Sequence, residues 1–187
     1  MPVPGFTIDG VLPPFLGLEP VEAADQMTPY VVTPADVVAA LGTTANRRDI
    51  LGKWFAHRHE LRELGFSGFQ WLDGSFLEDK EPADLDLVIF YEPPAGMPLP
   101  DLIALANANA NLFAHAAVKA QFRLDAYFLR LDGDPTFLVQ GAAYYLGLFS
   151  HQRVTSIWKG MLLTRFDDVA MDAAAVQLLN DLEPEPA

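Results

Sequence analysis

Trp71-Leu-Asp-Gly-Ser-Phe-Leu-Glu-Asp-Lys-Glu-Pro-Ala-Asp-Leu-Asp-Leu-Val88 is the stretch that decides how this chain is read. Aromatic and apolar residues from Phe66 to Leu72 predict a strand, and Asp73-Gly74-Ser75 breaks it. After Ser75 eight residues intervene before a second predicted strand, Asp84 to Tyr91. Side chains of a strand alternate with period two, so Asp84, Asp86, Val88 and Phe90 share one face and Leu85, Leu87, Ile89 and Tyr91 the other. Two aspartates at i and i+2 thus offer carboxylate oxygens on one side, a hard-oxygen pair suited to Mg²⁺ or Mn²⁺. Gly74 lets the backbone come close to a bound group, and the N–H groups and hydroxyl of a Gly-Ser turn can hydrogen-bond phosphate oxygens. Together these are the two halves of a nucleoside-triphosphate site. Each half alone has a plainer reading: Gly-Ser is a common turn, and a strand opening Asp-x-Asp can carry polar residues at its solvent-facing end.

Upstream, seven of the fifteen prolines fall within residues 1–34, which disfavours helix and central strand and predicts an extended, Pro-rich N-terminal arm over 1–33. Its Val11, Leu12, Phe15, Leu16 and Leu18 are expected to lie against the body of the protein or against a partner. Thr33-Pro34 opens a short helix to Leu41, ended by Gly42. Asn46 is expected to cap a longer helix in which Ile50, Leu51, Trp54, Phe55, Leu61 and Leu64 recur at helical spacing until Gly65. Its Arg47, Arg48, Lys53, Arg58 and Arg62 read as a solvated outer face or as an anion-binding patch. His57 shares the apolar stripe and is expected to be packed, while His59 points elsewhere.

Downstream, a Pro- and Gly-rich loop precedes an Ala-rich helix predicted from Asp101 to Ala120, with Leu102, Leu105, Leu112, Phe113 and Ala116 buried. A third strand is expected from Phe122 to Leu131, with Arg123, Asp125 and Tyr127 on one face. Then come a helix from Thr136 to Ser150, a strand-like run from Val154 to Phe166 containing Lys159, a last helix from Asp167 to Leu182 and an acidic tail over 183–187. Trp54, Trp71 and Trp158 are expected in the core, and the adjacent Ser150 and His151 do not read as a nucleophile and its base. The order of elements predicts an α+β (mixed α/β) domain over 34–182, a small mixed sheet flanked by helices.

The chain has 187 residues, 51% of them hydrophobic and 20% charged, which suffices for one domain with a core and excludes a disordered chain. Twelve Lys and Arg against twenty-five Asp and Glu give a net charge of −13, so long-range attraction to nucleic acid or an anionic membrane is not expected. An anionic ligand then needs a metal or a local basic patch. The absence of Cys excludes disulfides, thiolate zinc sites and Cys nucleophiles. The first basic residue is Arg47, so neither a secretory signal nor a transit peptide is read at the N-terminus, and the expected location is the cytoplasm.

Gly74-Ser75 followed by Asp84-Leu85-Asp86 resembles the signature of the nucleotidyltransferase (DNA polymerase β-like) superfamily: an apolar residue, Gly, Gly or Ser, about nine to thirteen residues, then Asp, an apolar residue and Asp or Glu. The spacing here is one residue short. The chain is also similar, over about residues 11–163, to a small uncharacterised bacterial family placed in that superfamily. The likeness runs through Leu12-Pro13-Pro14, Arg47-Arg48, Asp73 to Phe76, Asp79-Lys80, the paired aspartates, Asp125 with Tyr127 and Phe128, and Lys159-Gly160. The resemblance implies a nucleotidyltransferase-like sheet and a two-metal transfer. Asp84, Asp86 and Asp125 would hold Mg²⁺ (or Mn²⁺), Gly74 and Ser75 the β and γ phosphates, and Lys80 or Lys159 would offset charge on the leaving pyrophosphate. The nucleotide would be an NTP, ATP foremost, and the acceptor a hydroxyl presented by a protein partner. Nucleic acid is not expected without such a partner, nor a membrane. Small relatives of this kind occur in toxin–antitoxin or phage-defence modules. The alternatives are a catalytically silent module docking a protein partner and a nucleotide sensor.

Overall fold

The computed structural model describes residues 1–17 and 26–182; Leu18 of the arm and the acidic tail lie outside them. The α+β expectation holds. Strands β1 (Tyr30–Val31), β2 (Ser67–Asp73), β3 (Leu85–Glu92), β4 (Leu124–Arg130) and β5 (Leu162–Arg165) form one mixed sheet in the order β1-β5-β2-β3-β4. The outer pairs β1–β5 and β3–β4 are parallel, and β2 runs antiparallel to both of its neighbours. Seven helices accompany it among the described residues: α1 (Pro34–Leu41), α2 (Ala45–Glu63), α3 (Leu99–Ala108), α4 (Ala110–Phe113), α5 (His115–Phe122), α6 (Pro135–Phe149) and α7 (Val169–Asp181).

The alternation read from the sequence sorts the two faces of the sheet. Leu85, Leu87 and Ile89 of β3 join Leu124 and Ala126 of β4 in the larger core, against Ile50, Leu51, Trp54 and Leu61 of α2. Val88 and Phe90 face the other way, into a smaller core with Phe149 and Met161 that Tyr127, Leu129 and Tyr145 flank. Fully burying each such side chain contributes about 1.5–3 kcal/mol, which fixes the register of β3 and β4. Asp86 and Asp125 lie on this second face, at the end of the sheet where α6 stops and the apolar cover gives out.

Several expectations are corrected in detail. The helix predicted over 101–120 is three short ones, broken at Asn109 and at Ala114, where ψ reaches 116°. Asn109 caps the first of them by donating to the Leu105 carbonyl at 2.9 Å. Thr44, not Asn46, caps α2, its hydroxyl accepting from the Arg47 N–H, and the Asn46 amide instead reaches Glu81 and the Pro82 carbonyl. Arg47 and Arg58 are buried rather than solvated, because both fall on the apolar side of α2 with Leu51, Trp54 and Leu61. The strand expected around Lys159 starts only at Leu162, and Trp158 is 61% exposed instead of core. The described arm lies on its own body, with Leu12 and Tyr30 fully buried, and its end supplies β1.

Candidate functional site

Register across the sheet assembles a row of carboxylates. Asp73, the last residue of β2, pairs with Asp86 of β3, and Asp86 pairs with Asp125 of β4. Asp84 sits just before β3, at the same end of the sheet. On the far side of β2, Leu72 pairs with Leu162, so the chain leading into β5 brings Lys159 beside Asp73. Four chain segments thus end or begin at one edge and surround a cavity of about 550 Å³, within the range of small-molecule sites.

Gly74 opens a 3-10 turn, Gly74–Leu77, with φ +77°, a conformation that costs a residue with a Cβ. A Cβ at Gly74 would also stand 1.7 Å from Asp86 Oδ2. The glycine therefore makes room for a carboxylate of this chain, whereas sequence reasoning assigned that room to a bound phosphate. Phe76 and Leu77 are fully buried and anchor the turn. The Arg47 guanidinium holds the segment that follows, donating to the carbonyls of Phe76 (2.8 Å), Glu78 (2.7 Å) and Lys80 (2.7 Å).

Charge in the site is uneven. Burial, with the charges of Asp84 and Asp125 added, pushes the Asp86 carboxyl up to about 6. Burial pushes Asp73 up to about 7 against the opposing pull of Lys159. Burial also raises Asp125, but Lys119 and His115 outweigh it and hold that carboxyl below the usual range. His115 and Lys119 lie four residues apart on α5, hence on one face of it, and meet different oxygens of Asp125. Lys119 Nζ is 2.8 Å from Asp125 Oδ2 and 2.8 Å from Asp84 Oδ2. Bonds to Asp125 and Asp84 hold its pKa above the ordinary lysine value.

All seven residues singled out by sequence line this one cavity: Gly74, Ser75, Lys80, Asp84, Asp86, Asp125 and Lys159. Two of them are engaged otherwise than expected. Lys159, 3% exposed, donates to the Gly74 carbonyl at 3.0 Å and pairs with Asp73 (3.0 Å) and Glu78 (3.5 Å). Its contact with Asp73 Oδ1 is ionic only, since that oxygen receives no hydrogen bond. Lys80 pairs with Glu78 at 2.6 Å. Asp125 does not pair with Arg123, whose guanidinium instead binds Asp49 and the Ala83 carbonyl. Sequence reasoning missed Lys119 and His115, which only the packing of α5 on β4 brings in, and Arg153, an exposed cation on the cavity wall. His57 is packed as expected, its Nε2 3.0 Å from the Leu112 carbonyl. Ser150 and His151 do hydrogen-bond (2.9 Å), but Ser150 caps the end of α6 and only His151 reaches the cavity.

Residues 4–164, covering every residue of the cavity and all of the sheet but Arg165 at the end of β5, match the family of unknown function DUF6932. The chain belongs to that family. No curated protein and no solved structure matches it. The family match therefore carries no activity with it, and the chemistry rests on the side chains. Asp84 and Asp125, bridged by the Lys119 ammonium, and Asp86, the register partner of Asp125, supply carboxylate oxygens, so the residues present suit Mg²⁺ or Mn²⁺ in kind. No group of three or more acidic or histidine side chains among the described residues forms a ready cation cage. No helix among the described residues is long and apolar enough to cross a membrane.

Proposed function

We propose that this chain is a minimal, metal-dependent nucleotidyltransferase acting in the cytoplasm, which moves a nucleoside monophosphate from an NTP, ATP foremost, to a hydroxyl on a protein partner. The observation that supports it is the register Asp73–Asp86–Asp125, which gathers Asp84, Asp86 and Asp125 beside the Gly74-Ser75 turn around one open cavity. Asp84, Asp86 and Asp125 would hold Mg²⁺ or Mn²⁺, which when bound supplies charge neutralisation for a triphosphate and acidifies an acceptor hydroxyl. Arg153, exposed on the wall and without an ion pair among the described residues, is better placed than Lys159 to meet phosphate oxygens. Lys159 instead fixes the Gly74 carbonyl and the Asp73 carboxylate, keeping the turn in shape. In the transfer the acceptor oxygen bonds to the α-phosphorus and the bond to the α–β bridging oxygen breaks. Pyrophosphate leaves, and the hydroxyl proton passes to solvent at the open mouth.

A protein acceptor is favoured by the surface beside that mouth. Helix α6 carries no charged residue, and Phe137 (72% exposed), Val139 (66%) and Tyr144 (63%) stand out from it into water. Val154 and Trp158 extend the apolar surface along the loop that borders the cavity. The same surface favours a second reading, a catalytically silent module that docks a partner, or a sensor that binds nucleotide without turnover.

Thermal midpoints separate these readings. Wild type and the Asp84→Ala, Asp86→Ala double variant are compared with each of the four NTPs and Mg²⁺ or Mn²⁺. Ligand at a hundredfold its Kd stabilises by about 2.7 kcal/mol, several degrees for a domain of this size. The expected result is a metal-dependent rise in wild type only, followed by transfer of labelled nucleotide to a captured partner. A flat response to every NTP would leave the silent docking module as the reading, and a rise without any transfer would leave the sensor.

A further inference from the structure

The Lys119 ammonium occupies the point between Asp84 and Asp125 at 2.8 Å from an oxygen of each, so those two oxygens lie no farther apart than the two contacts laid end to end. One carboxylate comes from the segment entering β3 and the other from β4, which makes this point the only direct link between Asp84 and Asp125 among the described residues. Lys119 itself is 44% exposed, on a helix whose buried contacts are Val118 and Phe122. Its side chain can therefore swing into water without opening the core. His115, on the same face of α5, meets the other oxygen of Asp125 and would hold that carboxylate with the lysine swung away.

An Mg²⁺ or Mn²⁺ ion bound to carboxylate oxygens at about 2.0–2.1 Å cannot share that space with an ammonium. We propose that Lys119 is a tethered counter-ion: it fills the cation position between Asp84 and Asp125 in the free protein, and a divalent cation enters only by displacing it. The inference rests on the metal-site reading given above. It explains why the carboxylates are gathered while no ready cage is formed. It also sets where the lysine goes, since the released ammonium borders the cavity in which an anionic ligand would sit.

The test is binding of Mn²⁺ alone, followed by electron paramagnetic resonance at low ionic strength, to the full chain and to Lys119→Met and Lys119→Arg. Lys119 is half exposed, and circular dichroism melting checks that both variants fold. Lys119→Met should bind Mn²⁺ at least tenfold more tightly than wild type, and Lys119→Arg, which keeps the charge, no more tightly than wild type. Equal or weaker binding by Lys119→Met overturns the inference, and if wild type still shows a metal-dependent NTP shift, the transferase reading stands without it. Tighter Mn²⁺ binding by Lys119→Met with no NTP shift keeps the counter-ion and removes the transferase. Absence of Mn²⁺ binding by all three proteins removes both.

Discussion

Arg58 with Asp172, behind the sheet, and Lys119 with Asp84 and Asp125, at its end, are two ways of placing charge inside one small protein. Arg58 is fully buried and saturated: it grips both oxygens of Asp172 (2.9 and 2.7 Å), donates to Gln70 Oε1 at 2.8 Å and to the Arg165 carbonyl, and stacks 4.7 Å from the Trp54 ring. Arg62 adds a second cation on Asp172, and Trp54 Nε1 also donates to Gln70 Oε1. The front cluster inverts this arrangement. Its carboxylates outnumber their cations, no ion pair among the described residues engages Asp86, and the cavity admits water. A sealed cluster whose buried carboxylate is held by two cations serves to join α2, α7 and the sheet. An open cluster short of positive charge stores electrostatic repulsion that a ligand can relieve, which is where perturbed carboxyl groups signal function.

The comparison can be broken most forcefully from behind. Arg58→Met leaves Asp172 buried with Arg62 alone and strips Gln70 of a donor, so it should cost about 3–5 kcal/mol of stability, read by urea unfolding at neutral pH. A loss below about 1 kcal/mol would show that the rear cluster is not a structural joint. The front cluster predicts the opposite sign. Asp86, about 3.8 when unfolded and about 6 when folded, holds its proton more strongly in the folded state. Its stabilising contribution is complete below about pH 4 and is lost as pH rises through about 6. Asp86→Asn, neutral throughout, should match wild type near pH 4 and exceed it by roughly 3 kcal/mol at pH 7 to 8. His57, which burial pushes down to about 4, titrates in the opposite sense, but it is common to both proteins and drops out of the difference. A variant equal to or weaker than wild type at pH 7 would mean that the front cluster is balanced like the rear one. The smallest effect belongs to the outer face of α6: Phe137→Ser with Tyr144→Ser should shift stability by no more than about 0.5 kcal/mol, since both rings stand in water. The same pair should abolish partner capture; retained capture would place the docking surface elsewhere.

Much of this layout is legible in the amino-acid sequence. Period-two alternation in Asp84 to Tyr91 correctly divided two cores, because a strand packed on both faces leaves its side chains no choice of side. The gathering of Gly74, Ser75, Asp84 and Asp86 follows from a strand, a short connection and a returning strand. Other features depend on contacts that spacing does not encode. Lys119 reaches Asp125 only through the docking of α5 on β4, and a lysine on a short Ala-rich helix has nothing local to distinguish it. Arg58 is different: at the spacing of Arg47, Leu51, Trp54 and Leu61 it lay on the buried stripe, and assigning it to water by charge alone overrode a pattern that was present. The break at Asn109 was missed because a continuous helix and three short ones share the same Ala-rich composition.

The grip of Arg47 on the carbonyls of Phe76, Glu78 and Lys80 turns the link between the two halves of the motif into a segment of fixed gauge. One added residue between Phe76 and Lys80 would put at least one carbonyl out of reach of the guanidinium, leaving a buried cation short of an acceptor. The length of this loop and the identity of residue 47 are therefore physically coupled. A chimera that borrows a longer loop from another protein would need to replace Arg47 in the same step.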